Sequence, residues 1–221
     1  MSEPHEAGLL RRMLRRAHGV FVRQRPAPTF ADPDYRRKAI EAMHLAGGIL
    51  DRHGVVFWLD FGTALGLARE QDLIRHDSDI DLGLLAETWK PECAEQLRAA
   101  GFELYPHACS AEIAARFMGG VAPPGPISYG MRRLGAAVDL CIYFAGSGVG
   151  VRGDSRFFIQ WECKGVYEFP ARMVEDTRMA DFLGRGWRVP SDLEGYLTHA
   201  FGPDWRTPRR NCGYPCFVSV R

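Results

Sequence analysis

Three carboxylates stand inside runs that otherwise read as buried strand, and this narrows the possible folds more than any other feature. Asp79 and Asp81 lie in DIDLGL (79–84), where acids and apolar residues alternate, and Asp139 lies in VDLCIYF (138–144). Side chains two apart on an extended chain leave the same face. Asp79 and Asp81 therefore point one way while Ile80 and Leu82 enter the core. Two charges about 4 Å apart repel by roughly 4 kcal/mol at an effective dielectric near 20, a cost that a bound divalent cation removes. Oxygen ligands of this kind suit Mg²⁺ or Mn²⁺. Asp139 repeats the pattern and is expected to be a third metal ligand or the base for an acceptor hydroxyl. A lone Asp-x-Asp is common on solvent-facing strands, so the reading depends on what surrounds it.

Upstream, VVFWLDF (55–61) is short, aromatic and branched, as a buried strand would be. Gly62-Thr63 follows as a tight turn, and residues 64–70 have helical propensity. A helix N-terminus there presents unpaired amides and a partial positive charge, a place for phosphate. The chain has neither a Gly-Lys-Ser/Thr triplet nor three spaced glycines at this turn, so it is not a P-loop or a dinucleotide fingerprint. Arg69 and Arg75 supply nearby cations, and Lys164 is either a phosphate contact or a surface strand lysine. Asp60 is read as a cap or a pairing partner, His76 and Asp77 as shapers of the turn, and Arg132-Arg133 as a solvated edge or a phosphate contact. Together these parts describe metal-assisted phosphoryl chemistry.

Elsewhere, Asp32-Pro33 caps an expected helix over 33–52. Further helices are expected at 91–100 and 192–201, and strands at 102–105, 114–118 and 156–164. Residues 119–126 read as a loop, and an antiparallel pair, 127–133 with 137–144, turns near Gly135. Residues 9–25 place Leu9, Leu10, Met13 and Leu14 opposite Arg11, Arg12, Arg15 and Arg16, a basic amphipathic helix. It either docks on the protein or makes peripheral contact with an anionic membrane surface. Three segments are expected: an N-terminal segment and linker (1–30), a catalytic domain (31–210) and a tail (211–221).

At 221 residues with 46% apolar and 25% charged residues, the chain has the composition of a folded globule. Lys plus Arg (28) nearly balances Asp plus Glu (27), which argues against a long nucleic-acid partner. No run approaches the roughly eighteen apolar residues of a spanning helix, and no secretory signal is visible, so a cytoplasmic location is expected, with peripheral membrane contact at its inner face. The six cysteines suit reduced thiols. Only Cys212 and Cys216 have ligand-like spacing, and terminal-loop cysteines are the default reading over a zinc site, which closes with about four ligands.

The run WLDFGTALGLAREQDLIRHDSDIDLGL (58–84) resembles the signature of the LicD and fukutin-related proteins. VPSDLEGYLTHAFGPDWRTP (189–208) resembles that family's C-terminal pattern, with Phe201 where Tyr is usual, and AVDLCIYF matches its third-acid strand. The resemblance spans roughly 51–208. It implies an α/β nucleotidyltransferase-like fold, a mixed β-sheet flanked by helices. It also implies Mg²⁺- or Mn²⁺-dependent transfer of a phospho-alcohol such as phosphocholine or ribitol phosphate. The donor would be a CDP-alcohol, the acceptor a glycan or lipid-linked sugar, and CMP the leaving group. Residue by residue, Gly62 and Thr63 match the phosphate turn, Arg69 the helix-end Arg, and Asp79, Asp81 and Asp139 the metal acids. His76 replaces a usual Trp and Ser78 a usual acid, which bears on donor choice. The chain lacks the extra N-terminal domain of fukutin-like members, so a bacterial-type stand-alone enzyme is expected. The alternative is a nucleotidyltransferase moving NMP from an NTP to a protein or small-molecule hydroxyl.

Overall fold

The computed structural model describes residues 28–145, 155–160, 165–208 and 217–219. The basic N-terminal stretch, Lys164, Trp161, Cys212 and Cys216 lie outside them. The first helix, α1 (Pro33–Arg52), starts as its sequence directs: the Asp32 carboxylate accepts from the Asp34 amide at 2.9 Å, with Pro33 in the first turn. Its buried face carries Ala39, Ala42, Met43, Ala46, Ile49 and Leu50, the spacing of one helical stripe.

A strand β1 (Phe57–Leu59) leads into α2 (Phe61–Glu70), and β2 (Asp79–Leu85) returns antiparallel to β1. Trp58 lies opposite Gly83, where a Cβ would sit 2.5 Å from the indole, so only glycine leaves room for that ring. After α3 (Pro91–Ala99) come β3 (Glu103–His107), α4 (Ala111–Phe117), β4 (Ser128–Arg133) and β5 (Ala136–Ala145). The chain continues through β6 (Ser155–Gln160), β7 (Gly165–Pro170), α5 (Ala171–Glu175), a hairpin β8 (Thr177–Phe182) and β9 (Arg185–Pro190), α6 (Leu193–Phe201) and β10 (Phe217–Ser219).

Eight strands form one mixed sheet with helices packed on it. β5 is its centre: β2 runs parallel along one edge, while β4 and β6 share the other edge end to end, both antiparallel. β3 lies outside β4, and β7 and β10 continue beyond β6. The separate β8–β9 hairpin clamps α1. A Cβ on Gly47 would lie 2.7 Å from Trp187, and Arg185 donates to the His44 carbonyl at 3.1 Å and to the Asp51 carboxylate.

Two expectations need correction. The strand expected over 55–61 is only three residues long: Asp60, still extended and donating to the Asp81 carbonyl at 3.1 Å, is the N-cap, and the chain turns into α2 at Phe61 with φ +27°. Of residues 114–118, expected as strand, 114–117 belong to α4 and Met118 follows it as a bend. Alanine, glutamate and arginine favour helix, the Ala114 amide closes onto the Ser110 carbonyl at 3.0 Å, and Gly119 with φ +62° follows the last turn.

Candidate active site

The parallel pairing of β2 with β5 sets Asp81 directly beside Asp139, with Asp79 one step along the same face beside Ala137. One carboxylate oxygen from each of Asp79, Asp81 and Asp139 lies within 4.8 Å of the others. Burial, followed by the charges of Asp79, Asp77, Asp139 and Asp60, pushes the Asp81 carboxyl well above the usual carboxylate range. A half-buried, oxygen-only set in which Asp79 and Asp139 oppose the ionisation of Asp81 fits a hard divalent cation, which all three could hold.

The N-terminus of α2 is bound to this set. The Gly62 amide donates to Asp81 Oδ2 at 2.9 Å, and the Asp81 amide donates to Thr63 Oγ1 at 2.8 Å. The expected phosphate turn is thus occupied in placing an acid: Gly62 and Thr63 lock the helix start to β2. Glycine is required at 62, since a Cβ would meet Asp77 Oδ2 at 2.6 Å and Asp81 Oδ2 at 3.0 Å.

Beneath the turn Asp60 is wholly buried. Its Oδ1 accepts from Trp58 Nε1 at 3.3 Å, from the Tyr143 hydroxyl at 3.2 Å and from the Tyr196 hydroxyl, while its Oδ2 has no partner. Burial raises this carboxyl from 3.8 to about 6, against the lowering effect of its donors. Tyr196 Oη also accepts the Phe61 amide at 3.2 Å, so α6 is pinned to the site from the far end of the chain.

Asp77 is a fourth acid that sequence reasoning assigned to turn shaping. It lines the acid-lined pocket of about 200 Å³ together with Phe61, Cys141, Phe158 and Tyr167. Burial first and then Asp79 raise its carboxyl to about 7. Asp77 and Gly62 also border a larger adjoining cleft of about 730 Å³, walled by Arg69, Arg75, His76, Phe201 and Trp205. That volume is within the roughly 300–1,000 Å³ of ligand sites. Arg69 and Arg75 therefore share one cleft beside the acids. Trp205, buried and with no partner for Nε1, forms part of its wall, and the Arg206 guanidinium lies 4.2 Å over its ring. Its signal was the Gly-Pro-Asp-Trp run, which carried a resemblance but no assigned role. Among the aromatics of the sheet, Tyr167 lines the acid pocket, whereas Tyr129 turns to a groove beside Trp89, 5.2 Å from its ring. Arg133 donates to the Ala100 carbonyl at 3.1 Å, and Arg132 is exposed.

Residues 54–118 match the family model described as LicD/FKTN/FKRP, nucleotidyltransferase domain. The ribitol-5-phosphate transferase FKTN of Mus musculus is 37% identical over 70 residues, 32% of this chain and 15% of its own length. The ribitol 5-phosphate transferase FKRP of Mus musculus is 29% identical over 160 residues, 71% of this chain and 29% of its own length. The chain thus matches only a minor part of each curated relative. Among solved structures, the lincosamide antibiotic adenylyltransferase LnuA in its lincomycin-bound form superposes with a TM-score of 0.44 at 15% identity, covering 71% of this chain and 82% of its own. The matched segment contains the α2 turn and two of the three clustered acids, so residues 54–118 are similar to the nucleotidyltransferase domain of the LicD/FKTN/FKRP family.

Proposed function

We propose that this chain transfers a phospho-alcohol from a CDP-linked donor to a hydroxyl of a glycan acceptor, with CMP as the leaving group. The carrying observation is the convergence of Asp79, Asp81 and Asp139 beside a cleft walled by Arg69 and Arg75, in a chain whose residues 54–118 match the LicD/FKTN/FKRP model. Relatives named as ribitol-phosphate transferases support a phospho-alcohol as the transferred group.

In this reading Asp79, Asp81 and Asp139 would hold Mg²⁺ or Mn²⁺, and the cation would supply charge neutralisation at the phosphoryl oxygens. Arg69 and Arg75 bind the donor's phosphates, and Trp205 and Phe201 wall the remainder of the cleft. The acceptor oxygen bonds to the phosphorus distal to cytidine, the bridging P–O bond to CMP breaks, and Asp139 takes the hydroxyl proton. Gly62 and Thr63 hold Asp81 in register. The buried floor formed by Asp60, Tyr143 and Tyr196 keeps water from reaching the acids from below.

The test is CMP release from CDP-ribitol and CDP-choline with Mn²⁺ and a glycan acceptor, run beside pyrophosphate release from the four NTPs. CMP release that disappears in an Asp79→Asn, Asp81→Asn double variant supports the proposal. Pyrophosphate release without CMP release would replace it with nucleotidyl transfer.

A further inference from the structure

The acid face of the sheet does not end at Asp139. In the antiparallel ladders β5–β4 and β4–β3, Asp139 lies opposite Gly130 and Gly130 opposite Tyr105. Directly paired residues share a face, so Asp81, Asp139, Gly130 and Tyr105 form one row across four strands. With strands about 4.8 Å apart, Tyr105 sits roughly 10 Å from Asp139, with the glycine between them.

That glycine is not demanded by the backbone, since its φ lies outside the left-handed region. Packing does not demand it either. A Cβ there would meet Asp139 Oδ1 and His107 Cε1 at 3.7 Å and Tyr105 Cβ at 3.9 Å, all ordinary contacts. Glycine in a strand interior weakens the strand and commonly marks a close approach by another group. Here it leaves a notch open beside an acid of the site. The far wall of the notch is Tyr105, an aromatic side chain 46% exposed on β3, which among the described residues pairs only with β4. Its hydroxyl donates to Glu103 Oε2 at 2.6 Å. Glu103 and Arg132 pair across the ladder on one flank and His107 stands on the other, giving an aromatic face with a polar rim.

We propose that this shelf, Tyr105 with the Gly130 notch, binds a neutral sugar ring of the acceptor, the apolar face of the ring against Tyr105 and a hydroxyl directed over Gly130 to Asp139. An exposed aromatic ring flanked by carboxylate, guanidinium and imidazole groups matches a saccharide, which presents C–H on its faces and hydroxyls at its rim. The inference rests on the transferase reading for the role of Asp139, but the binding itself needs neither donor nor metal.

The test is saturation-transfer NMR of the full chain with a panel of methyl hexosides and methyl N-acetylhexosaminides, without CDP-alcohol or metal. Wild type should transfer saturation to at least one glycoside. Tyr105→Ala and Gly130→Val, the latter filling the notch, should each weaken that binding about three- to tenfold. Tyr105→Phe, which retains the ring, should stay within about twofold of wild type. Melting transitions establish that each variant is folded; should Gly130→Val not fold, Tyr105→Ala decides. Silence from the whole panel, or binding indifferent to the Tyr105 and Gly130 changes, overturns the proposal. Because CMP release is measured separately, its failure would count against the transferase and not against the shelf.

Discussion

Asp60 offers a quantitative test of how the floor of the site is built. Its carboxyl is raised from 3.8 to about 6 by burial, so the folded chain holds a proton that the unfolded chain has already released. The sign follows from linkage: stability contributed by a raised acid is fully present below the unfolded value and is lost as pH rises through the folded one. A rise of that size is worth about 3 kcal/mol, of which roughly 2 kcal/mol falls between about pH 4.5 and pH 8. Asp60→Asn removes the titration but retains an oxygen for Trp58, Tyr143 and Tyr196. Its new amide occupies the position of Oδ2, which has no partner, at a cost of about 1–3 kcal/mol at every pH. In urea unfolding of chelator-treated protein, the variant should therefore be the less stable at about pH 4.5, and the gap should close by roughly 2 kcal/mol by pH 8. The other acids titrate in both proteins and largely cancel in the comparison, since Asp60 is the smallest of the four charges that raise Asp81. Parallel stability curves would refute the assignment of a buried, proton-retaining Asp60.

Further outcomes follow from the same geometry. The metal-free chain as a whole should lose stability from about pH 4 upward, with Asp77, raised to about 7, extending the loss to neutrality; saturating Mn²⁺ should flatten that profile in calorimetric scans. Gly62→Ala drives a methyl into Asp77 and Asp81, and CMP release should fall about a hundredfold, as expected for a misplaced catalytic group; a loss under about threefold would contradict the close approach. Gly83→Ala meets the Trp58 ring at 2.5 Å and should lower unfolding free energy by about 1–3 kcal/mol in urea titrations. Arg69→Ala and Arg75→Ala should raise the donor KM by about tenfold each, consistent with loss of one charge-assisted contact, and unchanged donor kinetics would remove them from the cleft's function.

The acids were legible because strand alternation has a fixed consequence: a carboxylate two residues from another and flanked by Ile80 and Leu82 cannot avoid its neighbour. That Asp139 would stand beside Asp81 depended on parallel pairing of β2 with β5, which no local pattern encodes. The long helix α1 was equally legible from Asp32, Pro33 and its apolar stripe. The region 165–190 was not. Its hairpin turns through Leu183 and Gly184, with φ +50° and +84°, and leucine in the first of these positions carries none of the Asn-Gly signal that marks such turns. Gly62 was read as a phosphate cradle because an isolated helix start offers free amides; tertiary structure instead supplied the Asp81 carboxylate to the Gly62 amide. Asp77 was overlooked as a site residue because its importance lies in what it faces, across the turn at Gly62, and not in its sequence neighbours.

The most direct test of the account is calorimetric titration of Mn²⁺ into chelator-treated protein and into Asp79→Asn, Asp81→Asn and Asp139→Asn variants. If the three carboxylates grip one cation, each variant should bind at least about tenfold more weakly than wild type, the loss of one charged ligand. Binding that survives unchanged in all three, or a wild type that takes up no Mn²⁺, would contradict it.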